Sequence, residues 1–512
     1  MLRKLAIIGG LGGLALAVLG RLYRLPKKPA RPAEPPRLDA GETALGKVVA
    51  ALGLGTGRSS AVQPLREGKS AYAARLALIE RAERSIDMQC YIWHRDLTGA
   101  LMLEKLRAAA DRGVAVRLLL DDLGISGLDA ILAELNEHEN IAVRLYNPFA
   151  LRSPRLASYL FDFVRLNRRM HGKSITVDGA LSITGGRNVG DEYFDTGDEP
   201  AFVDLDVIAG GAVVADISRH FAQFWASRAA YRLERVITQA PEPPGALDRA
   251  LAELKDSEEY RRYTRELADD PQVRAFAGGK FDLEPVAASL VSDAPDKTLG
   301  SVLAGDLMVD ELAEILSGVE TSLDLVSPYF VPGKRGMAEF LRLAERGVRI
   351  RVLTNSLAAN DVALVHAGYR KYRRRLLQGG IELFELKRQA SPPARRADAG
   401  ALGSSGSSLH AKTLTADGRT VFVGSFNFDP RSVWLNTESG LVIESEGIAR
   451  DLSRLMEEDL QRIAYRVSLD TAGRMKWEDM ATGTVHHADP GSPLLLRAGL
   501  WAAGKLPIEW LL

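Results

Sequence analysis

Apolar residues recur along this chain at spacings that alternate between helical and extended periods. Ser70–Arg84 places apolar residues at helical spacing, and Ser85–Trp93 follows it as a strand. Further helices then alternate with strands at Val114–Leu120 and Ile141–Tyr146. Helices and strands in this order predict an α/β fold, in which helices flank a mixed, mostly parallel sheet.

The same succession of segments returns in the second half of the chain. The strand Ser322–Phe330 repeats the one that begins at Ser85, and Ala344–Leu353 and Ile381–Phe384 repeat the next two strands. The distance along the chain from Ser85 to Ser322 is far greater than the roughly 20–50 residues of a solenoid unit. The sequence therefore predicts two duplicated domains.

A pattern of five residues follows the strands of each half. It runs His, one residue, Lys, four residues, Asp, six residues, Gly, two residues, Asn. The first copy is His171, Lys173, Asp178, Gly185 and Asn188, and the second is His410, Lys412, Asp417, Gly424 and Asn427. Apolar residues alternate around the Asp-Gly pair, which predicts a hairpin whose His and Lys share a face. Because the chain has only eight histidines, two matched copies indicate one active site shared at the interface of both halves.

Composition restricts the classes of function. The 512 residues include 66 Lys plus Arg and 66 Asp plus Glu, so no overall positive charge favours nucleic acid. Cys90 is the single cysteine, which rules out an intrachain disulfide. No Cys/His cluster has zinc spacing, and the motifs supply lysines where a metal-dependent phosphodiesterase would gather carboxylates. We therefore expect no cofactor and no metal.

The N-terminal residues predict attachment to a membrane. Residues 5–20 are uncharged, and basic residues flank them on both sides, so the charge rule leaves the orientation open. We interpret residues 1–24 as a hydrophobic membrane anchor or signal, with an uncleaved anchor favoured over a cleaved signal peptide and a buried helix. The Pro-rich residues 25–44 then predict a linker.

The repeat and changes in composition place the other boundaries. The predicted intervals are 45–235 for the first domain (motif 171–194), 236–300 for a helical connector, 301–470 for the second domain (motif 410–432) and 471–512 for a C-terminal membrane-proximal segment. Trp501 and Trp510 favour a membrane interface for the last of these. Residues 391–408 are rich in Pro, Gly and Ser and predict a loop at the rim of the site.

The paired motifs resemble those of the phospholipase D superfamily. Longer strings resemble its bacterial cardiolipin synthase branch, specifically the C type: Gly185-Gly-Arg-Asn-Val-Gly-Asp-Glu-Tyr-Phe194, Asn355-Ser-Leu-Ala-Ala-Asn-Asp361, Val365-His-Ala-Gly-Tyr369, Ser425-Phe-Asn-Phe-Asp-Pro-Arg-Ser432 and Leu506-Pro-Ile-Glu-Trp-Leu-Leu512. The resemblance covers the chain from about residue 70 onward. It implies two phospholipase D-like domains and a phosphatidyltransferase that makes cardiolipin by transfer of a phosphatidyl group to phosphatidylglycerol.

The resemblance also implies a covalent mechanism. One histidine attacks phosphorus to form a phosphatidyl-histidine, while the other protonates the leaving group and then deprotonates the incoming alcohol. By analogy we assign His171 as the nucleophile and His410 as the acid and base, although the symmetry of the motifs leaves the reverse assignment open.

Other residues have predicted supporting roles. The two lysines, Lys173 and Lys412, would hold the phosphate, and the two amides, Asn188 and Asn427, would donate hydrogen bonds to it. Asp178 and Asp417 are counted with the catalytic motifs, although an Asp-Gly turn favours them for backbone reasons alone.

Each imidazole also requires an orienting carboxylate. Glu438 matches the family's position for one, and Asp204 is its expected counterpart in the first half, with Asp206 as a rival. Ser425 is predicted to support the site, and His94 either contacts substrate or has no role there.

The alternatives to phosphatidyl transfer are hydrolysis of phospholipids by a phospholipase D-type phosphodiesterase and cleavage of nucleic acid by a family nuclease. A non-catalytic scaffold is disfavoured, because neither motif has decayed. We expect membrane phospholipids as partners: phosphatidylglycerol and, from the C-type resemblance, phosphatidylethanolamine as donor, with a second phosphatidylglycerol as the other candidate. We expect no nucleic acid, and the sequence identifies no accessory protein. The expected location is the bacterial inner membrane, with the protein anchored or peripheral.

Overall fold

A computed structural model describes residues 34–38, 40–54, 59–196, 203–238, 244–301, 307–360, 362–388 and 409–493, with a few residues between 18 and 26 and between 497 and 500. The α-helices are α1 (Ala44–Ala51), α2 (Gly68–Arg81), α3 (Leu97–Asp111), α4 (Asp129–Asn136), α5 (Tyr159–Leu166), α6 (Ala212–Ala226), α7 (Ala246–Lys255), α8 (Glu258–Asp269), α9 (Pro271–Ala277), α10 (Asp296–Leu299), α11 (Met308–Ser317), α12 (Gly333–Glu345), α13 (Ala363–Gln378), α14 (Pro430–Trp434) and α15 (Glu446–Ile463).

The strands are β1 (Ser59–Leu65), β2 (Ser85–Ile92), β3 (Ala115–Gly124), β4 (Ile141–Tyr146), β5 (Ser174–Val177), β6 (Leu181–Gly185), β7 (Asp206–Gly211), β8 (Ala230–Arg232), β9 (Glu284–Ser292), β10 (Ser322–Val326), β11 (Arg349–Asn355), β12 (Glu382–Leu386), β13 (Thr413–Ala416), β14 (Thr420–Gly424), β15 (Ser439–Glu444), β16 (Ala464–Leu469), β17 (Met475–Asp479) and β18 (Val485–His486). Short 3-10 turns lie at Arg155–Ser158, Asp191–Tyr193 and Leu233–Arg235.

Matching elements of the two halves begin and end in the same way. The helix α3 ends before Gly113, whose φ of 93° favours glycine, and α12 ends before Gly347, whose φ is 86°. The next residue then turns back on the helix: Val114 N donates to Ala109 O, and Val348 N donates to Leu343 O, both at 3.1 Å. The strands β3 and β11 follow directly, which is how the repeat in sequence becomes a repeat in structure.

Hydrogen bonds join the strands into one continuous series. Its order is β8, β4, β3, β2, β5, β6, β7, β1, β9, β15, β14, β13, β10, β11, β12, β16, β17, β18. The first eight strands of the series correspond one by one to the strands of the second half, which in the same sequence are β16, β12, β11, β10, β13, β14, β15 and β9. The predicted α/β fold of two duplicated, phospholipase D-like domains is therefore confirmed.

The expectation of a mostly parallel sheet is wrong in detail. Between the strands named above, parallel pairing joins only β2, β3 and β4 in one half and β10, β11 and β12 in the other. Those strands are linked by helical crossovers, which parallel pairing requires. The motif hairpins β5–β6 and β13–β14, and the strands that follow them, pair antiparallel.

Two other predicted intervals contain strands that the sequence did not indicate. The interval 236–300 holds helices α7, α8 and α9 but also β9, which pairs with β1 on one side and β15 on the other and so joins the halves. The interval 471–512 begins with β17 and β18, which extend the sheet, and the buried Trp477 donates to Glu385 at 2.9 Å. Apolar and polar residues alternate over too few positions in these strands for the sequence to distinguish them from a loop or a helix.

A buried apolar cluster spans the joint between the halves. It packs Val207 and Ala209 of β7, with Ile217 of α6, against Val423 of β14 and Leu441 of β15. Larger clusters fill each half separately. Because the strands at the joint are hydrogen-bonded and apolar side chains fill the space between the halves, the two motifs are held in a fixed relation to each other.

Several predictions concern residues outside those that the structure describes. These are the apolar run 5–20 apart from Val18 and Gly20, the loop 391–408, and Trp501 and Trp510. Among the residues that are described, we find no helix with both the length and the apolar character needed to cross a bilayer.

Candidate active site

Each motif histidine is held in place by the other half of the chain. The backbone N–H of His171 donates to Thr437 O at 2.9 Å, and the backbone N–H of His410 donates to Val203 O at 3.0 Å. Thr437 and Val203 each directly precede a carboxylate residue. The backbone therefore brings every histidine beside an acid from the opposite half.

The first pair is His171 with Glu438. Nδ1 of His171 lies 2.7 Å from Glu438 Oε2, and the carboxylate is fully buried. Two hydroxyls also donate to it: Ser425 Oγ to Oε2 at 2.5 Å and Ser432 Oγ to Oε1 at 2.8 Å. These contacts fix the orientation of the Glu438 carboxylate, and Ser425 is one of its two hydroxyl donors.

The second pair is His410 with Asp204. Nδ1 of His410 lies 2.6 Å from Asp204 Oδ2, and Asp204 Oδ1 accepts from the backbone of Leu205 at 2.8 Å. A Cβ on Gly186 would stand 2.1 Å from Asp204 Oδ1, so only glycine fits there. The rival acid, Asp206, instead accepts from Arg75 Nη2 at 2.9 Å, away from the histidines.

Both lysines fold back beside their own histidines. Lys173 Nζ donates to His171 O at 2.6 Å, and Lys412 Nζ donates in the same way to His410 O. Two aromatic rings complete this layer: Tyr91 meets the His171 ring edge-on at 4.8 Å, and Tyr193 meets the His410 ring at 5.1 Å. Neither tyrosine can be recognised as a site residue from the sequence, because nothing in their spacing marks them.

Burial keeps both imidazoles neutral. Burial lowers the pKa of His171 to about 4, since the attraction of Glu438 compensates only in part and Lys173 repels the charged form. Burial and the charge of Lys412 lower the pKa of His410 to about 3, against the opposing pull of Asp204. At neutral pH each imidazole is therefore neutral in the resting site.

The carboxylates and Lys173 also have shifted pKa values. Burial would raise the pKa of Glu438, but His171 and Lys173 outweigh it, and the pKa is lowered. Burial of Asp204 is likewise outweighed, by His410 and Lys412, which hold its pKa well below the usual range. Burial and the neighbouring Lys412 lower the pKa of Lys173 to about 7. Ionised carboxylates accept hydrogen bonds only, so each Nδ1 carries its proton and each Nε2 a lone pair.

The two motif asparagines are not equivalent. Asn188 Nδ2 donates to the Tyr193 hydroxyl at 2.9 Å, and its Oδ1 accepts from Ile92 N at 3.3 Å. Asn427 Oδ1 is buried and accepts no hydrogen bond from the described part of the chain. The side-chain oxygen of Asn188 is therefore hydrogen-bonded within the protein, whereas that of Asn427 accepts no hydrogen bond from the described residues.

The motif aspartates lie at the far ends of their hairpins and do not join the histidines. Asp178, with a φ of 53°, accepts from the backbone N–H groups of residues 83–85, and Asp417, with a φ of 52°, accepts from those of residues 320–322. The inclusion of Asp178 and Asp417 among catalytic residues is therefore corrected. They fix the turn to the start of β2 and β10 instead.

His94 lies outside the histidine pairs. Its Nδ1 is 3.2 Å from Glu192 Oε1 and 4.0 Å from Asp96 Oδ2. Burial alone would lower the pKa of His94, but these acids raise it. The ligand atoms of His94, Asp96 and Glu192 lie within 4.8 Å of one another. Asp96 also accepts from Gly99 N as the N-cap of α3, so the position of this carboxylate is explained without a ligand.

The fold and the two paired His–Lys motifs define a class of enzyme. A family model described as "Cardiolipin synthase, PLD-like domain" matches residues 76–225 and again residues 312–460. The chain belongs to this family and is a phosphatidyltransferase that acts on phospholipids.

Individual relatives agree with this class. The chain is 44% identical over 452 residues to cardiolipin synthase C of Escherichia coli strain K12, an alignment that covers 88% of this chain and 95% of the relative. It is 26% identical over 412 residues to cardiolipin synthase B of the same strain, covering 78% and 82%. The crystal structure of phosphatidylserine synthase from Haemophilus influenzae Rd KW20 shares the fold, with a TM-score of 0.56 at 15% identity over 88% of this chain and 95% of that one.

Proposed function

We propose that this protein makes cardiolipin by transferring a phosphatidyl group to phosphatidylglycerol through a phosphatidyl-histidine intermediate. The observation that carries the proposal is the pair of His–carboxylate contacts, His171 with Glu438 and His410 with Asp204, on opposite sides of one site. Two oriented imidazoles are what a two-step displacement at phosphorus requires. The relatives named cardiolipin synthase support the choice of product.

In the first step, Nε2 of His171 attacks phosphorus and the donor's alcohol leaves. The Nδ1 proton of His171 stays on the hydrogen bond to Glu438, which stabilises the positive charge that develops on the ring. His410 gives a proton to the departing alkoxide. Because His410 is neutral in the resting site, that proton is taken up when the anionic phosphodiester binds and raises the pKa of the imidazole.

In the second step, His410 deprotonates the hydroxyl of the acceptor, which displaces His171 from phosphorus. The His410 side chain is 18% exposed and that of His171 is 9% exposed. Greater access suits the residue that must meet both a leaving and an entering alcohol. This supports His171 as the nucleophile, in agreement with the assignment by family resemblance.

Charge on the phosphoryl oxygens is balanced by Lys173 and Lys412. Both ammonium groups lie beside the histidines and can turn from the backbone carbonyls that they bind to the phosphate. Asn427 Oδ1 is buried and accepts no hydrogen bond from the described residues, so the substrate group that it can bind is the hydroxyl of the incoming alcohol rather than a phosphoryl oxygen. Asn188 acts through Tyr193, the ring beside His410.

We further propose that the enzyme works at the bacterial inner membrane, where its phospholipid substrates reside. The uncharged run 5–20 supports an anchor there. Phosphatidylethanolamine is the proposed donor and phosphatidylglycerol the acceptor. This choice follows from the C-type resemblance and from the 44% identity to cardiolipin synthase C.

The test is product analysis with purified enzyme and mixed vesicles of labelled phosphatidylglycerol and phosphatidylethanolamine. We expect cardiolipin, with release of ethanolamine. Release of glycerol instead would make a second phosphatidylglycerol the donor. Phosphatidic acid as the sole product at every acceptor density would replace transfer by hydrolysis. His171→Ala and His410→Ala should each lose turnover almost completely, because both histidines act in one site.

A further inference from the structure

The helix α5 presents its apolar side chains to solvent, which is the reverse of what a helix on a soluble protein does. Leu156, Leu160 and Val164 are each 69% exposed, and Phe163 is 43% exposed. Leu156 lies in the 3-10 turn directly before α5, and the backbone of Asp162 departs from helical geometry inside α5 (φ −138°, ψ 32°), so what the four residues share is their exposure within nine residues of chain. We call these four residues the α5 face. The C-terminal end of the helix is anchored in the protein by the fully buried Leu166.

Contacts at the end of α5 connect this face to the active site. Asn167, which ends the helix, accepts from Arg431 Nη1 at 2.9 Å, and Arg431 belongs to the other half. Four residues later the chain reaches His171. Trp434, one turn along α14 from Arg431, is 58% exposed and is a further large apolar side chain on the surface. The chain that carries the α5 face therefore leads directly into the motif of His171 and is hydrogen-bonded there to the other half.

The chain that arrives from the N-terminal apolar run meets the same helix. Tyr23 stacks on Phe161 with ring centroids 6.2 Å apart and an interplanar angle of 27°. Gly20 also lies against Phe161, close enough that a Cβ on it would be 3.8 Å from the ring-bearing Cβ. Gly20, the last residue of the uncharged run in the sequence, and Tyr23 therefore both contact this helix.

The charged residues on α5 are mutually neutralised. Arg165 pairs with Asp162, with Nε donating to Oδ2 at 2.7 Å. The face is consequently apolar without a net charge of its own. Its chemistry fits the hydrocarbon and interfacial region of a bilayer, rather than an anionic headgroup surface alone.

We propose that the α5 face is a membrane-docking surface that inserts into the bilayer interface and holds the mouth of the site at the lipid. The inference rests on the proposed lipid substrate, and it adds a point of insertion separate from the N-terminal run. Docking there brings the phosphodiester of a lipid to the histidines while its acyl chains stay in the membrane. The driving force is apolar burial, so high salt leaves the docking in place.

The test places an environment-sensitive fluorophore on the full-length chain at Leu160→Cys. The native thiol does not interfere, because Cys90 is buried and burial raises its pKa to about 11. The matched control is Val485→Cys, an exposed apolar position on β18. With vesicles of phosphatidylethanolamine and phosphatidylglycerol, we expect a blue shift and quenching by spin-labelled lipid at position 160 and neither at position 485.

A second variant connects insertion with turnover. Leu160→Asp together with Val164→Asp should lower transfer at limiting vesicle area by at least about tenfold, because two apolar side chains that the bilayer would bury are lost. Val485→Asp should not lower it. No quenching at position 160 overturns the docking surface even if cardiolipin is made. A blue shift on concentrating the protein without lipid overturns it in favour of an interface between two copies. Quenching without any transfer supports the docking surface and removes the proposed function alone.

Discussion

Replacing Glu438 with Gln should stop a histidine in the other half of the chain from attacking phosphorus. Glu438 Oε2 accepts the Nδ1 proton of His171 at 2.7 Å, which leaves the lone pair on Nε2. An amide at this position can donate to Nδ1 and so favours the tautomer with its proton on Nε2. The nucleophilic lone pair then faces the amide instead of the substrate.

The expected loss is about 10³-fold to 10⁴-fold in the rate of intermediate formation, comparable to wrong-tautomer variants of hydrolases. This corresponds to about 4–5 kcal/mol in the activation free energy. The fold should persist, because the amide oxygen still accepts from the Ser432 hydroxyl at the position of Oε1, while the Ser425 hydroxyl can turn and accept from the amide nitrogen at the position of Oε2. Glu444→Gln is the matched control, since Glu444 ends β15, the strand that begins directly after Glu438, and its side chain is exposed.

The assay uses a phosphatidyl donor with a p-nitrophenol leaving group, which departs without a general acid. Rapid mixing then separates the burst of p-nitrophenol from the slower transfer to acceptor. Glu438→Gln should remove the burst, whereas Asp204→Asn should keep it and block the second step, because His410 is needed there as a base. A burst within tenfold of wild type in Glu438→Gln, or one absent only in Asp204→Asn, would refute the assignment of roles and would exchange the two histidines.

Three further outcomes follow from the same geometry. Gly186→Ser should lower kcat by about 100-fold, since its Cβ would push Asp204 away from His410 by roughly an ångström; steady-state kinetics with a thermal-unfolding control checks this. With the p-nitrophenyl donor, which needs no proton from His410, kcat/KM should fall above about pH 7 by up to about tenfold per unit, as Lys173, with its pKa near 7, loses its proton in the free enzyme, and Lys173→Arg should remove that fall. Asp178→Ala should lower the free energy of unfolding by about 2 kcal/mol or more, with kcat of the folded protein unchanged, which urea denaturation and activity measured together would show.

Much of the site could be predicted from the sequence because its residues recur at fixed intervals. The spacing of His171 and Lys173 follows from the period of a strand, and the Asp-Gly pair from the turn that closes the hairpin. The same reasoning misplaced Asp178, because a residue can recur in a motif for the turn it stabilises. Its three backbone contacts, to residues 83–85, are invisible in the pattern.

The exchange of acids between the halves could not be predicted from the sequence. Nothing in the intervals states that Glu438 serves His171 rather than His410, which stands nearer in the chain. Which acid meets which histidine depends on how β7 and β15 lie across the joint between the halves. That arrangement depends in turn on strands such as β9, whose pattern of apolar and polar residues is too irregular to recognise in the sequence. Long-range pairing is a property of packing, and local periodicity carries no record of it.

The two halves also differ beside their carboxylates, and this difference bears on how the histidines take separate roles. The motif position that is Gly186 in the first half is Ser425 in the second. Gly186 admits the short side chain of Asp204, whereas Ser425 donates to the longer Glu438. A serine in place of Gly186 would collide with Asp204, and a glycine in place of Ser425 would leave one oxygen of Glu438 with fewer donors. The acid and its neighbour therefore form matched sets, and the two halves differ at these positions although the five spaced residues of each motif are the same.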